Sequence, residues 1–354
     1  MKVTNTRKSE IDILKCICSF AIVIIHTPFE GAVGTILRIF SRVAVPIFFM
    51  ISGYYYSFDS KRINRQIRKI TYVIVFSHLL YFIFDILMDY IAHVNLYMFN
   101  KNESTIDVIS QVIIFNVSPA YTHLWYVLAY LYILILFRRI DLRHISSKLL
   151  AVVSVFLLFG NLIFGKYSYL ILGKSMEPYV SRNFLFTGIP FYLLGYLISK
   201  KSGNVSIINK YGARFFIPIL LILSFLSVVE KSILSLIGES STGDIYITSI
   251  MLVVTLFLYA LYINDSTKKN RGKNVFAKIG NKYTLLIYIM HPIIIQLLKV
   301  VLGFESCICM KLFFSILVYV ITLLLAVVVN FAWRTVIKCM SSNRTLIRKN
   351  KGDV

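Results

Sequence analysis

The chain has 354 residues, of which 58% are hydrophobic and 15% are charged, and its formal net charge at pH 7 is +22. A soluble chain usually carries about 25% charged residues. The Lys and Arg residues occur in short clusters between long apolar runs, so they form no continuous surface for nucleic acid. Five cysteines in so long a chain exclude a disulfide framework. The composition therefore predicts a membrane protein and excludes the fibrous and disordered classes.

Ten apolar stretches are long enough to cross a hydrocarbon core of roughly 30 Å as helices. They predict an all-α, polytopic integral membrane protein with about ten transmembrane helices. The first stretch has no small-residue cleavage site after it, so we expect it to be retained as the first span. A further stretch, 104–117, is shorter and amphipathic, which favours a helix at the membrane interface. The predicted spans are 11–29, 36–57, 70–91, 121–138, 146–165, 183–199, 213–229, 245–263, 283–303 and 307–333.

The basic clusters predict the orientation of the chain, because positively charged loops remain cytoplasmic. Six clusters fall on the same side of the predicted bundle and hold most of the Lys and Arg residues. Both termini are therefore predicted to be cytoplasmic, with a cytoplasmic N-terminus at 1–10, a transmembrane domain at 11–335 and a basic tail at 336–354. The clusters lie at 1–10, 58–70, 137–148, 199–214, 264–282 and 334–351.

The first predicted span carries two ionisable residues, Lys15 and His26. An ionisable side chain costs about 2.5–3.5 kcal/mol at the membrane centre, so each needs an explanation. Their separation of 11 residues is about three helical turns, so they share one face and lie roughly 16 Å apart along the axis. A lone His near a helix end is more often structural than catalytic, and the spacing alone leaves both roles open.

The other polar residues of the spans collect in the outer half of the predicted bundle. Arg42 begins the second span and must be paired, while the nearby Pro46 predicts a kinked helix with space for a ligand or water. Polar residues without a common role would be distributed over both halves of the bundle. We therefore expect these side chains to pair with one another around a partly hydrated cavity that is open to the outside. Trp125 also fits an aromatic belt. The set comprises His26, Arg42, His123, Trp125, Arg182, Glu230, Asp244 and His291.

A basic stripe follows the second span on the opposite side. Arg62, Arg65 and Arg68 recur at three-residue intervals, which places them on one face of a helix. Guanidinium groups bind phosphates through paired hydrogen bonds, so the stripe is a candidate phosphate site. It is also typical of a plain orientation signal, and composition alone favours that simpler interpretation.

Six motifs in the same chain order resemble the membrane acyltransferase type 3 family, and the resemblance extends over nearly the whole chain. Within the family, the second and fourth motifs are most similar to the membrane domain of the vancomycin-resistance serine racemases. The motifs are DILK-x10-H ending at His26, VPIFFMISGYYY, R-x-x-R in the following loop, HLWY beginning at His123, RNFLFTGIPFYLLG beginning at Arg182, and YTLLIYIMHP.

The resemblance implies a bacterial cell-membrane enzyme that moves an acyl group, usually acetyl, from cytoplasmic acyl-coenzyme A to an acceptor outside. It implies that His26 is the general base and that Arg65 and Arg68 bind coenzyme A phosphates. Lys15 stands where the family usually carries Arg, at a donor-binding position. We expect Arg42 or Arg182 to stabilise the oxyanion. Glu230 completes the predicted catalytic set, and the predicted substrate-binding residues are His123, Trp125, Asp244 and His291.

Two other functions remain open at the level of sequence. The resemblance to serine racemases implies transport of an L-serine-like amino acid, because a cavity with Arg, Glu and His would bind a zwitterion. The remaining alternative is a non-catalytic membrane anchor. The predicted co-substrate is acetyl-coenzyme A, with no permanently bound cofactor and no metal site. The predicted partners are the lipid bilayer and an external glycan, lipid or amino-acid acceptor, without nucleic acid.

Overall fold

The computed structural model describes residues 8–93, 105–118, 121–201, 213–239, 241, 243–263, 274–301, 303 and 308–350. Within these ranges the regular structure is helical and no strand occurs. The predicted N-terminal segment 1–10, the predicted basic tail 336–354 and the basic clusters 199–214, 264–282 and 334–351 lie partly outside the described residues. The sides on which the termini lie therefore stay a prediction.

Fifteen helices are numbered here in chain order. The first half of the chain forms α1 Ser9–His26, α2 Gly31–Ser41, α3 Ala44–Tyr54, α4 Ser60–Ala92, α5 Thr105–Phe115, α6 Trp125–Arg139 and α7 Ser147–Phe164. The second half forms α8 Ser168–Leu172, α9 Pro178–Ser181, α10 Ile189–Lys201, α11 Phe216–Leu236, α12 Ile247–Tyr262, α13 Val275–Lys282, α14 Thr284–Gln296 and α15 Ile308–Asn350. A π-helical turn, Phe184–Gly188, leads into α10.

Each of the ten predicted spans coincides with a helix or a pair of helices. By length and composition alone, five spans are long and apolar enough to cross a membrane, and a sixth is formed if the bent pair Val275–Lys282 and Thr284–Val300 counts as one span. Other predicted spans coincide with shorter apolar helices, such as Ile247–Tyr262. The all-helical class is confirmed for the described residues, with five or six spans fit to cross a membrane, while the number ten stays a prediction. The amphipathic stretch 104–117 forms α5.

Large apolar side chains cover the outside of the helices rather than their interior alone. Such exposure is unusual in a soluble protein, where large apolar patches are few, and it is the surface that lipid tails would cover. On the long helix α4 alone, exposed side chains include Phe76, Leu79, Phe82, Ile83 and Ile86.

The second predicted span is interrupted at Arg42 and Val43, between α2 and α3. The sequence places the irregularity at Pro46, and the structure places it before the proline. Pro46 is in the first turn of α3, where its missing N–H has no helical acceptor to lose. The break therefore places Arg42 at the end of α2, outside regular helix, and Pro46 lies in the first turn of α3 without bending it.

Helices α3 and α10 approach each other through two glycines. A Cβ atom on Gly53 would lie 1.9 Å from the backbone oxygen of Tyr192, and one on Gly195 would lie 2.0 Å from that of Met50. Both distances are far inside van der Waals contact, so only glycine permits this packing. The close contact holds α3 in position against α10, and the two ends of α3 face two different cavities.

Helix α1 lies at the centre of the described bundle. It packs against α2, α3, α12, α13, α14 and α15. Near its start, α13 comes so close that a Cβ atom on Gly280 would lie 1.7 Å from the backbone oxygen of Asp12. The two ends of α1, with Lys15 near one and His26 at the other, define two sides of the molecule, here called the Lys15 side and the His26 side.

Candidate active site

Three histidines from different parts of the chain meet at the end of α1. The ring centroids of His26 and His291 are 5.1 Å apart, those of His123 and His291 5.4 Å, and those of His26 and His123 6.2 Å. His123 and His291 are buried, whereas the ring of His26 is exposed to a cavity. The cluster predicted from the sequence is therefore formed, with His26 as its accessible member.

The hydrogen bonds of the two buried histidines assign their neutral tautomers. The Tyr81 hydroxyl donates to the backbone oxygen of Ile289 at 2.6 Å, so its single proton is used and Nε2 of His123, 3.1 Å away, must donate to it. Nδ1 of His291 lies 3.1 Å from the backbone oxygen of Ile287, which only accepts. His123 therefore carries its proton on Nε2 and His291 on Nδ1.

The second ring nitrogen of His291 remains available. Nε2 of this side chain is buried and has no hydrogen-bond partner among the described residues. Because Nδ1 holds the proton, Nε2 is a lone-pair acceptor, and it belongs to the ring nearest to His26. The adjacent His26 ring carries an N–H group that this lone pair could accept, which makes His291 a candidate to orient His26.

An ion triad lies on the same cavity wall. Arg42 Nη1 lies 2.5 Å from Oδ1 of Asp244, and Arg182 Nε lies 2.5 Å from Oδ2 of the same carboxylate. Arg42 Nη1 also donates to the backbone oxygen of Gly243 at 3.0 Å. Two guanidinium groups share one carboxylate, so the triad keeps one surplus positive charge. The expected pairing of Arg42 is thus observed, and Asp244 is the residue that provides it.

These groups surround a small cavity, here called the histidine cavity, with a volume of about 90 Å³. This volume admits a few water molecules or a single functional group of a substrate. Asn161 adds a polar part to the lining, and its side-chain amide donates to the Ser181 backbone oxygen at 3.0 Å and to Thr187 Oγ1 at 2.8 Å. The lining includes Ile22, His26, Arg42, Pro46, His123, Trp125, Tyr126, Asn161, Arg182, Thr187, Asp244 and Tyr288.

A second cavity, here called the Lys15 cavity, opens from the opposite end of α1 and has a volume of about 420 Å³. Its cations are Lys15, which also pairs with Asp12 at 3.0 Å, and Arg62 from the start of α4. Gln66 and Asn281 add side-chain amides to the wall. The remaining lining is mostly apolar or aromatic and includes Phe48, Ile51, Tyr55, Tyr130 and Leu285.

The two cavities are separated by three side chains. Ile22, Tyr126 and Tyr288 line both of them, so the cavities meet back to back at these residues. The hydroxyl of Tyr288 donates to the backbone oxygen of His123, which ties this partition to the histidine cluster. Lys15, Ile22 and His26 follow one another along the inner face of α1, as their spacing predicts.

Four of the predicted site residues do not line either cavity. One is His291, which is fully buried in the histidine cluster, and the others are Arg65, Arg68 and Glu230. Arg65 and Arg68 are exposed on α4, although Arg62 of the same stripe lines the Lys15 cavity. Glu230 accepts hydrogen bonds from the backbone N–H groups of Ile247 and Thr248, at 2.8 and 2.9 Å. Its carboxylate therefore caps α12, and its position favours a structural role over the predicted catalytic one.

The described residues contain no group of three or more His, Cys, Asp or Glu side chains arranged to hold a metal ion. In the histidine cluster, His123 and His291 each use one ring nitrogen in a hydrogen bond. Its arrangement supports proton transfer and anion stabilisation at His26.

Comparison with known families agrees with this chemistry. The model of the acyltransferase domain of the acyltransferase 3 family matches residues 8–332, which is most of the chain. The chain belongs to the acyltransferase 3 family. The matched region includes α1 and the residues that line both cavities.

A curated relative of this acyltransferase 3 protein carries a different name. It is an "Amino-acid racemase" from Enterococcus faecalis, 26% identical over 348 residues, which cover 90% of this chain and 45% of the relative. The chain thus spans about half the length of that relative. No solved structure matches the chain.

The sequence analysis missed several uncharged residues that line the histidine cavity and the Lys15 cavity. Asn161, Tyr126 and Tyr288 were not predicted site residues, because uncharged polar and aromatic side chains are common in apolar spans. Gln66 and Asn281 were missed for the same reason. Arg62 carried a signal, since it belongs to the stripe, but the resemblance pointed to Arg65 and Arg68.

Proposed function

We propose that this protein is a membrane acyltransferase that moves an acyl group, expected to be acetyl, from cytoplasmic acyl-coenzyme A to an external acceptor. The observation that carries the proposal is the pair of cavities whose linings share Ile22, Tyr126 and Tyr288. A thioester entering from the Lys15 side would reach the partition and present its carbonyl to His26. The acceptor would enter from the other side.

The Lys15 cavity has the properties that a coenzyme A thioester requires. Lys15 and Arg62 supply positive charge for phosphate groups, and the amides of Gln66 and Asn281 suit a pantetheine arm. Apolar and aromatic side chains line the deeper part. The positively charged clusters predict that this side is cytoplasmic, where acyl-coenzyme A is made.

His26 has the position of the general base in this reaction. It accepts the proton of the acceptor hydroxyl or amine as that group attacks the thioester carbonyl, which forms the new carbon–oxygen or carbon–nitrogen bond. The carbon–sulfur bond then breaks, and the proton on His26 passes to the coenzyme A thiolate. The surplus positive charge of the Arg42–Asp244–Arg182 triad stabilises the oxyanion between these two steps.

His291 acts in this scheme as a positioning residue. Its Nδ1 proton is held by the backbone oxygen of Ile287, so its Nε2 lone pair accepts the N–H of His26 when the two rings align. This contact presents the other nitrogen of His26 to the acceptor. Cell-envelope glycans are the acceptor class that we favour, and lipids and amino acids are the alternatives.

The proposal is tested by replacing His26 with Ala and measuring the transfer of radiolabelled acetyl groups from acetyl-coenzyme A to envelope material in sealed membranes. Loss of a general base should lower the rate by about 10²–10⁴-fold. His144→Ala is the matched control, because this His side chain is 83% exposed and lies outside both cavities. Full activity of His26→Ala at normal membrane abundance would remove His26 from the mechanism.

A second function, uptake of an L-serine-like amino acid, is the alternative that the sequence resemblance to serine racemases implies, and the relative named "Amino-acid racemase" agrees with an amino acid as the ligand. The ion triad and the histidines would bind the carboxylate and ammonium groups of such a ligand. Uptake of radiolabelled L-serine into proteoliposomes without acyl-coenzyme A would support transport. Acetyl transfer that depends on acyl-coenzyme A, without serine uptake, would support the enzyme.

A further inference from the structure

A third cavity, here called the cationic cavity, lies beside the histidine cavity on the His26 side. Its volume is about 350 Å³, and it is lined by four cations, Arg38, Arg42, Lys166 and Lys231. Of the described residues that line it, none carries a carboxylate. Its wall therefore offers positive charge to an anion from several directions.

Arg42 connects the cationic cavity with the candidate active site. Its side chain lines both cavities, so a ligand in the cationic cavity lies next to the groups around His26. Lys166 is held in place by a 2.8 Å hydrogen bond from Nζ to the Ser241 backbone oxygen, and its ammonium group lies 5.7 Å from the centre of the Tyr246 ring. Both contacts leave the ammonium group with further donors.

The electrostatics of Lys166 agree with a surplus of positive charge. Partial burial lowers the pKa of Lys166 from its usual range, and the nearby charges of Arg42 and Lys231 lower it further. Glu239 and Asp244 act in the opposite direction but do not cancel the effect. An anion bound among these cations would relieve their mutual repulsion.

Carboxylates around the cavity already have partners, and this includes Glu30, which directly precedes α2. Asp244 is held between Arg42 and Arg182 in the histidine cavity, and Glu230 caps α12. Glu239 accepts a hydrogen bond from the Leu170 N–H at 2.9 Å and another from the Ser241 N–H at 2.8 Å. The first turn of α2, including Gly31 and Gly34, also faces the cavity, and a helix start favours negative charge.

We propose that the cationic cavity binds a phosphate or carboxylate group of the acyl acceptor, while a hydroxyl group of the same molecule reaches His26. This inference rests on the proposed acyl transfer and makes it more specific, because it assigns the acceptor to the anionic class. Arg38, Lys166 and Lys231 hold the anionic group, and Arg42 lies between that group and the reacting centre.

Binding is tested with the full chain in nanodiscs of phosphatidylcholine, with glucose 1-phosphate as the anionic probe and glucose as the neutral one. We expect the phosphorylated probe to bind more tightly. The double variant Arg38→Gln/Lys231→Gln should weaken its binding by about tenfold or more, because charged hydrogen bonds are lost. Lys174→Gln is the matched control, since Lys174 is exposed and does not line the cavity. Equal binding of both probes would overturn the proposal.

A lipid headgroup would present the same phosphate chemistry, so a second arm uses nanodiscs that contain phosphatidylglycerol. Competition by this lipid together with binding of glucose 1-phosphate supports the proposal. Stabilisation of the protein by phosphatidylglycerol, without any binding of the soluble probe, would overturn it and make the cavity a lipid site.

The failure of this inference is distinguishable from failure of the proposed function. Acetyl transfer from acetyl-coenzyme A is measured separately on envelope material before and after enzymatic removal of its phosphate groups and reduction of its carboxylates. Transfer that persists on the neutralised material contradicts the anionic class but keeps the acyltransferase. Tight binding of glucose 1-phosphate with no transfer to any material keeps the anion site and contradicts acyl transfer.

Discussion

The histidine cavity and the Lys15 cavity share a partition, but they differ in size and in whether their charged side chains are paired or exposed. The first has about 90 Å³ and is surrounded by charges that are already paired, with Asp244 between Arg42 and Arg182. The second has about 420 Å³, and the Arg62 side chain on its wall is exposed. The small cavity is thus built to hold reacting groups in fixed positions, and the large one to admit a ligand.

The largest effect is expected at the paired charges of the histidine cavity. Asp244→Ala leaves two guanidinium groups facing each other without their carboxylate, which should lower the free energy of unfolding by about 3 kcal/mol. Thermal unfolding in detergent measures this change. The control is Asp141→Ala, which removes an exposed ion pair with Arg143 and should change stability little. Equal loss in both variants would show that the charges of the histidine cavity are not specially coupled.

Helix α3, which contributes residues to both cavities, provides the next test. Gly195→Ala places a Cβ atom 2.0 Å from the Met50 backbone oxygen, so α3 must move and both cavities should lose their shape together. We expect a loss of about 1–3 kcal/mol in unfolding free energy, with lower acetyl transfer. Gly160→Ala is the control, because its nearest neighbour is the Phe186 ring, which is able to rotate. A smaller effect of Gly195→Ala than of the control would contradict the rigid contact of α3 and α10.

The Lys15 cavity is tested through the arginine stripe of α4. Arg62→Gln removes a cation from the cavity wall and should raise the KM for acetyl-coenzyme A about tenfold, the equivalent of one charged hydrogen bond. Arg65→Gln and Arg68→Gln change exposed side chains outside the wall and should have smaller effects. Steady-state kinetics of all three variants compare them directly. The reverse order would support the assignment implied by the family resemblance and would place the phosphates outside the cavity.

The smallest effect is expected outside both cavities, at the loop that follows α6. Hydrogen bonds from the Arg143 side chain and backbone lower the pKa of Asp141 to about 2. A carboxylate with a lowered pKa stabilises the folded state above its unfolded pKa of about 3.9, and this contribution disappears as the pH falls towards 2. Melting curves between pH 5 and pH 2 should therefore show a slightly shallower decline for Asp141→Asn. Identical curves would mean that solvent screens this pair completely.

The sequence predicted the helical segments well because each depends on a local property. A run of about 20 apolar residues forms a helix in lipid wherever it lies, and the ten predicted spans coincide with helices in the structure. The meeting of His26, His123 and His291 was also predictable, since ionisable residues within spans are costly and seek one another.

The sequence failed where the outcome depends on how helices rotate and approach each other. Whether Arg62 or Arg65 faces a cavity depends on the rotation of α4, which the three-residue repeat alone does not determine. The capping role of Glu230 depends on the distance between α11 and the start of α12. Lys166 and Lys231 are far from Arg38 in the sequence and come close to it only in the folded chain. No sequence motif therefore predicts the cationic cavity.

Helix α1 sets the distance between the residues on the two sides of the molecule. Lys15, Ile22 and His26 lie at the large cavity, the partition and the small cavity, and no loop separates them. One residue inserted between Lys15 and His26 would turn the rest of the helix by about 100° and lengthen it by about 1.5 Å. His26 would then face a neighbouring helix instead of the histidine cavity. The number of residues between Lys15 and His26 is therefore constrained by the distance between the two cavities.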